Sequence, residues 1–165
     1  MTNAMSITRD DEKWIRRCME LAQRAASEDE VPVGALIVRN GELIAEAYNR
    51  REQDHSVLGH AELLCIHQAD QKLERWRLED CTLYSSLEPC VMCAGAIVQA
   101  RFGRVVYGAS DPKAGGQSLF GLLNHARLNH RVELVGGVLA DDCGLILSEF
   151  FRRKRSAKVE GSEGD

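Results

Sequence analysis

The chain has 165 residues, of which 21 are Lys or Arg and 25 are Asp or Glu, so its formal net charge is −4. A hydrophobic fraction of 44% and a charged fraction of 28% are typical of a globular domain and exclude disordered and fibrous classes. No apolar run approaches the roughly 20 residues of a membrane-spanning helix, and residues 1–12 lack the apolar segment of a secretory signal. We therefore expect a cytoplasmic protein with no membrane partner, and the acidic balance argues against nonspecific coating of nucleic acid.

Apolar periodicity predicts helices that alternate with strands along the chain. In chain order the elements are a helix over 9–28, a hairpin of strands over 33–38 and 43–48, a helix over 60–72, a strand over 81–85, a helix over 90–101, strands over 105–107 and 132–135, and a last helix from Asp141 or Asp142. Thr8 and Asp11 are the expected cap of the first helix, and Asn40-Gly41 is the expected hairpin turn. This order predicts an α/β fold in which helices cover both faces of a mixed sheet.

No repeat or internal linker divides the chain, and the Gly-rich segment 108–117 is predicted to be a loop. We therefore expect a single domain over residues 1–155. Residues 156–165 are polar and contain glycine, a composition that predicts a disordered tail.

Two short motifs carry residues of catalytic type, His60-Ala61-Glu62 and Pro89-Cys90-Val91-Met92-Cys93. The spacing of Cys90 and Cys93 at a helix start puts both sulfurs on one face, and a helix N-terminus favours the thiolate form that binds metal. One His and two Cys make three protein ligands, the number found in catalytic zinc sites that keep a fourth position for water. Glu62 is then available to take a proton from that water and deliver it to a leaving group.

Other interpretations of these residues remain open at this point. Cys90 and Cys93 could form a redox pair or pack as small hydrophobes, and Glu62 could be a solvated helix residue. His55 either lines the pocket or is solvated in its loop. The other cysteines lie in apolar stripes or strands and are predicted to be structural: Cys18, Cys65, Cys81 and Cys143.

The predicted last helix ends on two aromatic residues followed by four cations, namely Phe150, Phe151, Arg152, Arg153, Lys154 and Arg155. Cations at this position complement the negative end of the helix dipole. Cations beside aromatic rings also suit phosphate and base contacts in single-stranded nucleic acid. The residues alone do not favour either interpretation.

The combination of the two motifs is the pattern of zinc-dependent deaminases. Further segments resemble bacterial tRNA-specific adenosine deaminases, and the resemblance runs from about residue 12 to residue 155. The segments that carry it are 31–35, 49–50, 87–96, 106–109, 129–132 and 150–152.

The resemblance implies a three-layer α/β/α fold of the cytidine-deaminase type, a homodimer and one Zn²⁺ per subunit. It also implies hydrolytic deamination of adenosine to inosine at the wobble position of a tRNA anticodon, so that the partner is an anticodon stem-loop. By resemblance the zinc ligands are His60, Cys90 and Cys93, and the proton carrier is Glu62. The residues implied beside the flipped base and the zinc are Val33, Asn49, Leu87 and Glu88, with Asn49 in contact with the base.

Two segments depart from the family pattern. The family often has Asp-Pro-Thr/Ser-Ala before the motif histidine, where this chain has Ser56-Val57-Leu58-Gly59, and the loop at Gly115-Gly116-Gln117 is one residue shorter than usual. Both lie where substrate would enter, so they bear on substrate choice. The alternative function is deamination of a free base or nucleoside such as guanine or cytosine. A third is a non-catalytic partner subunit, against which the presence of Glu62 argues.

Overall fold

The computed structural model describes residues 6–162. Its helices are α1 (Arg9–Ser27), α2 (Ala61–Leu73), α3 (Val91–Gln99), α4 (Gly116–Phe120) and α5 (Ala140–Ser162). Its strands are β1 (Gly34–Arg39), β2 (Glu42–Tyr48), β3 (Cys81–Leu87), β4 (Arg104–Ala109) and β5 (Glu133–Val135). A 3₁₀ turn over Leu122–Asn124 joins α4 to the segment before β5.

The strands form one mixed sheet in the order β2-β1-β3-β4-β5. Strand β1 is antiparallel to both of its neighbours, β2 and β3, whereas β3, β4 and β5 are parallel. The mixed sheet expected from the sequence is therefore confirmed. Because β3 is the central strand and α3 is the crossover to β4, the end of β3 and the start of α3 meet at one edge of the sheet.

Alternating residues of the strands divide the core into two layers. Ile37 and Leu83 belong to the cluster that contains the buried residues of α2 and α3. Leu36 and Tyr84, their chain neighbours, belong to the cluster that contains Ile15 of α1 and Cys143 of α5. Helices thus cover both faces of the sheet, which confirms the three-layer α/β/α architecture.

Two local predictions are confirmed in atomic detail. Thr8 and Asp11 form a reciprocal capping box, since each side chain accepts the backbone N–H of the other residue at 3.1 Å. Asn40 and Gly41 both have positive φ angles, 50° and 75°, which the tight hairpin turn between β1 and β2 requires.

Most element bounds differ from the expected ones by one or two residues, and the larger departures are in α3, α4 and α5. Cys90 and Ala100 are the caps of α3 and lie outside it, so this helix is shorter than the predicted 90–101. The segment predicted as a loop contains the start of α4. Residues 156–162, predicted to be disordered, continue α5, because a formed helix gains one hydrogen bond for each residue added and no proline interrupts it. Residues 163–165 of the predicted tail lie outside the described residues.

No helix within residues 6–162 has the length and apolar character that crossing a membrane requires.

Candidate active site

The three predicted metal ligands lie together at the edge of the sheet where α2 and α3 begin. His60 is the N-cap of α2 and Cys90 is the N-cap of α3, while Cys93 lies on the first turn of α3. His60 Nδ1 is 3.6 Å from Cys90 Sγ and 3.5 Å from Cys93 Sγ. All three donor atoms lie within 4.8 Å of one another, so this group could hold a metal ion.

The donor set and its spacing fit zinc. Zinc in proteins takes thiolate and imidazole ligands at about 2.0–2.3 Å in tetrahedral geometry, which separates neighbouring donor atoms by roughly 3.5 Å. The two measured nitrogen–sulfur distances, 3.5 and 3.6 Å, match that separation. Three ligands leave one tetrahedral position for water or substrate.

The pKa values of the two thiols are shifted in opposite directions. A hydrogen bond from Cys93 and contacts with His60 outweigh burial and lower the pKa of Cys90 to about 4. The same hydrogen bond, together with burial and the nearby Glu62, raises the pKa of Cys93 far above its ordinary value. The hydrogen bond with Cys90 raises the pKa of His60. The lowered pKa favours the thiolate form of Cys90, which is the form that a metal binds.

Glu62, on the first turn of α2, turns its carboxyl group towards the ligands. The residue is only 3% exposed. Its Oε1 accepts a hydrogen bond from the Ser85 hydroxyl at 3.1 Å, and its Oε2 lies 3.5 Å from Cys93 Sγ. Burial raises its pKa, and the effect outweighs the hydrogen bond from its own backbone and the charge of His60. A carboxyl group with a raised pKa exchanges protons closer to neutral pH, as a general acid–base requires.

Asn49 links the end of the hairpin to the start of α2. Its Oδ1 accepts the backbone N–H of Ala61 at 2.9 Å, and its own backbone N–H donates to Val33 O at 3.1 Å. Both Asn49 and Val33 are almost fully buried. The structure thus brings two predicted substrate contacts together beside the helix that carries His60 and Glu62.

Glu88, the fourth predicted substrate contact, has its carboxylate bonded within the chain. Its Oε1 accepts the backbone N–H of Asp111 at 3.1 Å, and its Oε2 accepts the backbone N–H of Ser118 at 2.8 Å. The Ser118 hydroxyl also donates to this carboxylate. Leu87 ends β3 and is half-buried. The side chain of Glu88 therefore holds the segment 111–118, a role that no local pattern in the sequence indicates.

The same segment lies against Cys90, one of the predicted metal ligands. Gly116 N–H donates to Pro89 O at 2.9 Å, and Gly115 forms an isolated bridge with Cys90. A Cβ atom at Gly115 would overlap Glu88 Oε2, so the buried carboxylate excludes a side chain there. The Gly115-Gly116-Gln117 loop is thus fitted closely around Glu88.

The C-terminal cations are not equivalent. Lys154 pairs with Asp29, and its ammonium lies 5.7 Å from the Phe150 ring centroid, so this cation is bound within the chain. The three arginines of the cluster, Arg152, Arg153 and Arg155, are exposed. A cleft of about 470 Å³ lies between this helix and the predicted base contact Asn49. Its lining combines three cations with three carboxylates, namely Arg51, Lys154, Lys158, Asp29, Glu30 and Glu52. No local pattern in the sequence indicates Arg51 and Lys158, because their place in the cleft depends on how α5 packs.

Comparison with known proteins identifies the family. A model of the MafB19-like deaminases matches residues 9–155. The tRNA-specific adenosine deaminase of Bacillus subtilis (strain 168) is 48% identical over 149 residues, which are 90% of this chain and 92% of that protein. The chain belongs to the tRNA-specific adenosine deaminase family. The Haemophilus influenzae member of this family is 40% identical over 150 residues, 90% of this chain and 87% of the relative.

Solved structures agree with this membership of the tRNA-specific adenosine deaminases. A structure from work on A-to-I editing by tRNA:A34 deaminases at the wobble position of transfer RNA aligns with a TM-score of 0.79 at 36% identity, covering 82% of this chain and 99% of that one. The guanine deaminase of Bacillus subtilis aligns with a TM-score of 0.58, also at 36% identity, over 63% of this chain and 66% of its own. The fold is therefore shared by enzymes that act on a nucleotide within RNA and on a free base.

Proposed function

We propose that the protein is a zinc-dependent hydrolase that converts adenosine to inosine at the wobble position of a tRNA anticodon. The observation that carries the proposal is the position of Glu62 beside the three donors His60, Cys90 and Cys93 in a member of the tRNA-specific adenosine deaminase family. The net reaction adds water at C6 of adenine and releases the amino group as ammonia. Because its substrate is tRNA, we expect the enzyme in the cytoplasm.

His60, Cys90 and Cys93 hold one Zn²⁺ in this proposal. When bound, zinc lowers the pKa of a coordinated water to roughly 7 and so supplies a nucleophile at neutral pH. The carboxylate of Glu62 takes a proton from the attacking water and gives it to the departing amine. Its Oε2, 3.5 Å from Cys93 Sγ, is the oxygen on the side of the ligands and therefore carries this proton.

The base contacts are Val33, Asn49 and Leu87. The Asn49 carbonyl is bonded to Ala61 N–H, which leaves its amide nitrogen to donate to the base. The apolar side chains of Val33 and Leu87 exclude water from the other sides of the ring. Adenosine must leave its stack to expose C6, and a nucleotide in an anticodon loop is already partly unstacked, which lowers that cost.

Phosphate contacts supply the affinity for the stem-loop. A protein of net charge −4 binds RNA where its cations are gathered. The exposed arginines of α5, Arg152, Arg153 and Arg155, are such a group. The cleft that reaches Asn49 carries three cations and three carboxylates, namely Arg51, Lys154, Lys158, Asp29, Glu30 and Glu52. Its lining therefore has no net charge, and the phosphate contacts are assigned to the arginines.

We also propose that the protein is a homodimer. One chain leaves several large apolar side chains exposed on the segment before α2 and on α3 and α4, namely Val57, Leu58, Val91, Leu119 and Phe120. A contiguous patch of exposed apolar residues marks an interaction surface, and α3 and α4, which carry three of these side chains, are in contact. Sedimentation at micromolar concentration should give twice the mass of the chain, and a single species with the mass of one chain would contradict the dimer.

The decisive experiment uses purified wild-type protein and an anticodon stem-loop with adenosine at the wobble position, and measures inosine. A loop with the adenosine moved to another position is the matched substrate control and should remain unmodified. Free guanine and cytosine are tested in parallel, because the structural likeness to guanine deaminase favours a base deaminase as the second candidate. Conversion of a free base without conversion of the stem-loop would reverse the order of the two candidates.

A further inference from the structure

Ser85 is a buried hydroxyl at the centre of the molecule that the proposed chemistry leaves without a role. It lies on β3, the central strand, and is 0% exposed. Its Oγ donates a hydrogen bond to Glu62 Oε1 at 3.1 Å. The contact joins the middle of the sheet to the first turn of α2, across 23 positions of sequence.

The neighbouring serine shows that this arrangement is specific to one face. Successive residues of a strand point to opposite faces of the sheet, so Ser85 faces the α2 and α3 layer while Ser86 faces the other way. Ser86 Oγ accepts the backbone N–H of Gly34 at 3.1 Å. Both hydroxyls are buried and bonded, but only that of Ser85 reaches the candidate active site.

The Ser85 hydroxyl is the one side-chain partner of Glu62, among the described residues, that does not belong to the predicted metal ligands. Glu62 has two side-chain partners in this part of the chain, the Ser85 hydroxyl at Oε1 and the Cys93 thiol at Oε2. The contact with Ser85, at 3.1 Å, is shorter than the contact with Cys93, at 3.5 Å. Ser85 therefore fixes Oε1 and leaves Oε2 on the side of the ligands.

We propose that Ser85 is a positioning residue that holds Oε1 of Glu62, so that Oε2 stays directed at the reacting water. This inference rests on the proposed function of Glu62. A donor on the central strand of a sheet is held more rigidly than one on a loop. Misplacement of a catalytic group by about 1 Å can cost as much as 100-fold in rate, so one hydrogen bond at this position has a measurable effect on turnover.

The activity test compares Ser85→Ala, Ser85→Thr and Ser86→Ala on the wobble-adenosine stem-loop. We expect Ser85→Ala to lower kcat by about 10-fold with an unchanged KM and one zinc per chain, and Ser85→Thr, which keeps the hydroxyl, to recover most of that loss. Ser86→Ala is the matched control, because it removes a buried hydroxyl from the same strand and should leave kcat unchanged. An unchanged kcat in Ser85→Ala, or an equal loss in Ser86→Ala, would overturn the inference.

A second measurement does not depend on activity. In zinc-free protein, Ser85→Ala should lower the urea midpoint of unfolding in the wild-type background and lower it much less in a Glu62→Ala background, where its partner is already absent. Equal shifts in the two backgrounds would show that the side chains do not interact and would overturn the inference. If wild-type protein forms no inosine, the proposed function fails and the catalytic role of Ser85 fails with it, whereas an active wild type beside an unaffected Ser85→Ala variant contradicts Ser85 alone.

Discussion

Two buried carboxyl groups, those of Asp11 and Glu62, lie on opposite faces of the sheet, and their pKa values are shifted in opposite directions. Asp11, under α1, accepts hydrogen bonds from Arg104 at 2.7 and 2.9 Å and from the Tyr84 hydroxyl at 3.0 Å. Glu62, at the start of α2, has a neutral hydroxyl and a thiol as its side-chain partners. Both residues are at most 3% exposed.

The partners of each group decide the direction of its pKa shift. Burial alone would raise the pKa of Asp11, but the hydrogen bonds and the charge of Arg104, with the Thr8 backbone, lower it to about 2. Glu62 has no such cation beside it except His60, so burial prevails and its pKa is raised. Burial therefore does not by itself identify a functional carboxyl group: Asp11 is a permanent anion that fastens α1 to β3 and β4, whereas Glu62 can gain and lose a proton.

The largest effect is expected from removing a predicted zinc ligand, on the face of the sheet where Glu62 lies. Cys90→Ala leaves two protein ligands, so the variant should lose its zinc and its activity should fall to background. Metal binding is coupled to folding, so a lower unfolding temperature should accompany the loss. Elemental analysis checks the prediction, with Cys81→Ala as a control that removes a buried cysteine outside the site. Full zinc content in Cys90→Ala would refute the ligand assignment.

Replacing each carboxyl group by a neutral side chain tests the comparison, and the larger effect on turnover is expected at Glu62. Glu62→Ala should keep its zinc and its affinity for the stem-loop while kcat falls by about 100-fold to 10,000-fold, the range of general acid–base catalysis. Single-turnover inosine formation, measured alongside zinc content and RNA binding, tests this expectation. Turnover close to wild type in a folded, zinc-loaded Glu62→Ala protein would place the proton carrier elsewhere.

Asp11→Asn should lower the stability of the protein and leave its turnover unchanged, which is the reverse of the effect expected for Glu62→Ala. The change keeps the shape of the side chain but leaves Arg104 facing a neutral partner, at a cost of about 2 kcal/mol in the free energy of unfolding, while kcat stays at the wild-type value. Urea unfolding and initial rates, measured on the same preparation, check both parts. A large loss of kcat with unchanged stability would mean that the two faces are not separate in function.

Acid titration of stability gives a second test of Asp11. Folding lowers its pKa from 3.8 to about 2, so between these values the unfolded chain binds more protons than the folded one. The stabilisation from ionised Asp11 is therefore complete above about pH 4 and is lost as the pH falls towards 2. The difference in unfolding free energy between wild type and Asp11→Asn should shrink over that interval, and a constant difference would contradict the assigned shift.

The smallest effect is expected from the cations of α5, which touch neither carboxyl group. Replacing Arg152, Arg153 and Arg155 with Gln should raise KM for the stem-loop by about 10-fold and reduce the salt dependence of binding by roughly 0.7 per lost phosphate contact, with kcat and zinc content unchanged. The matched control replaces the exposed α1 cations Arg9, Lys13 and Arg16 with Gln, which changes the net charge equally. An equal effect of both sets would mean that net charge, and not the α5 site, governs binding.

Local sequence patterns were sufficient to predict the metal-binding group and the order of elements. The spacing within His60-Ala61-Glu62 and within Cys90-Val91-Met92-Cys93 is set by the first turn of a helix, so local geometry alone puts these side chains at two helix starts. The alternation of apolar residues likewise indicated a mixed sheet between helices. These predictions succeeded because each depends on residues within about one helical turn or one strand.

What the sequence by itself determined is thus the His/Cys/Cys group, the place of Glu62 beside it and the family, since short-range spacing and motif identity carry that information. Only the tertiary structure decided which partner each polar side chain takes. Glu88 binds a segment more than 20 positions away, and Lys154 pairs with Asp29 near the other end of the chain. Ser85 reaches Glu62 only because β3 is the central strand under α2. A buried polar group must find a partner, and packing between distant segments determines which one lies within hydrogen-bonding distance.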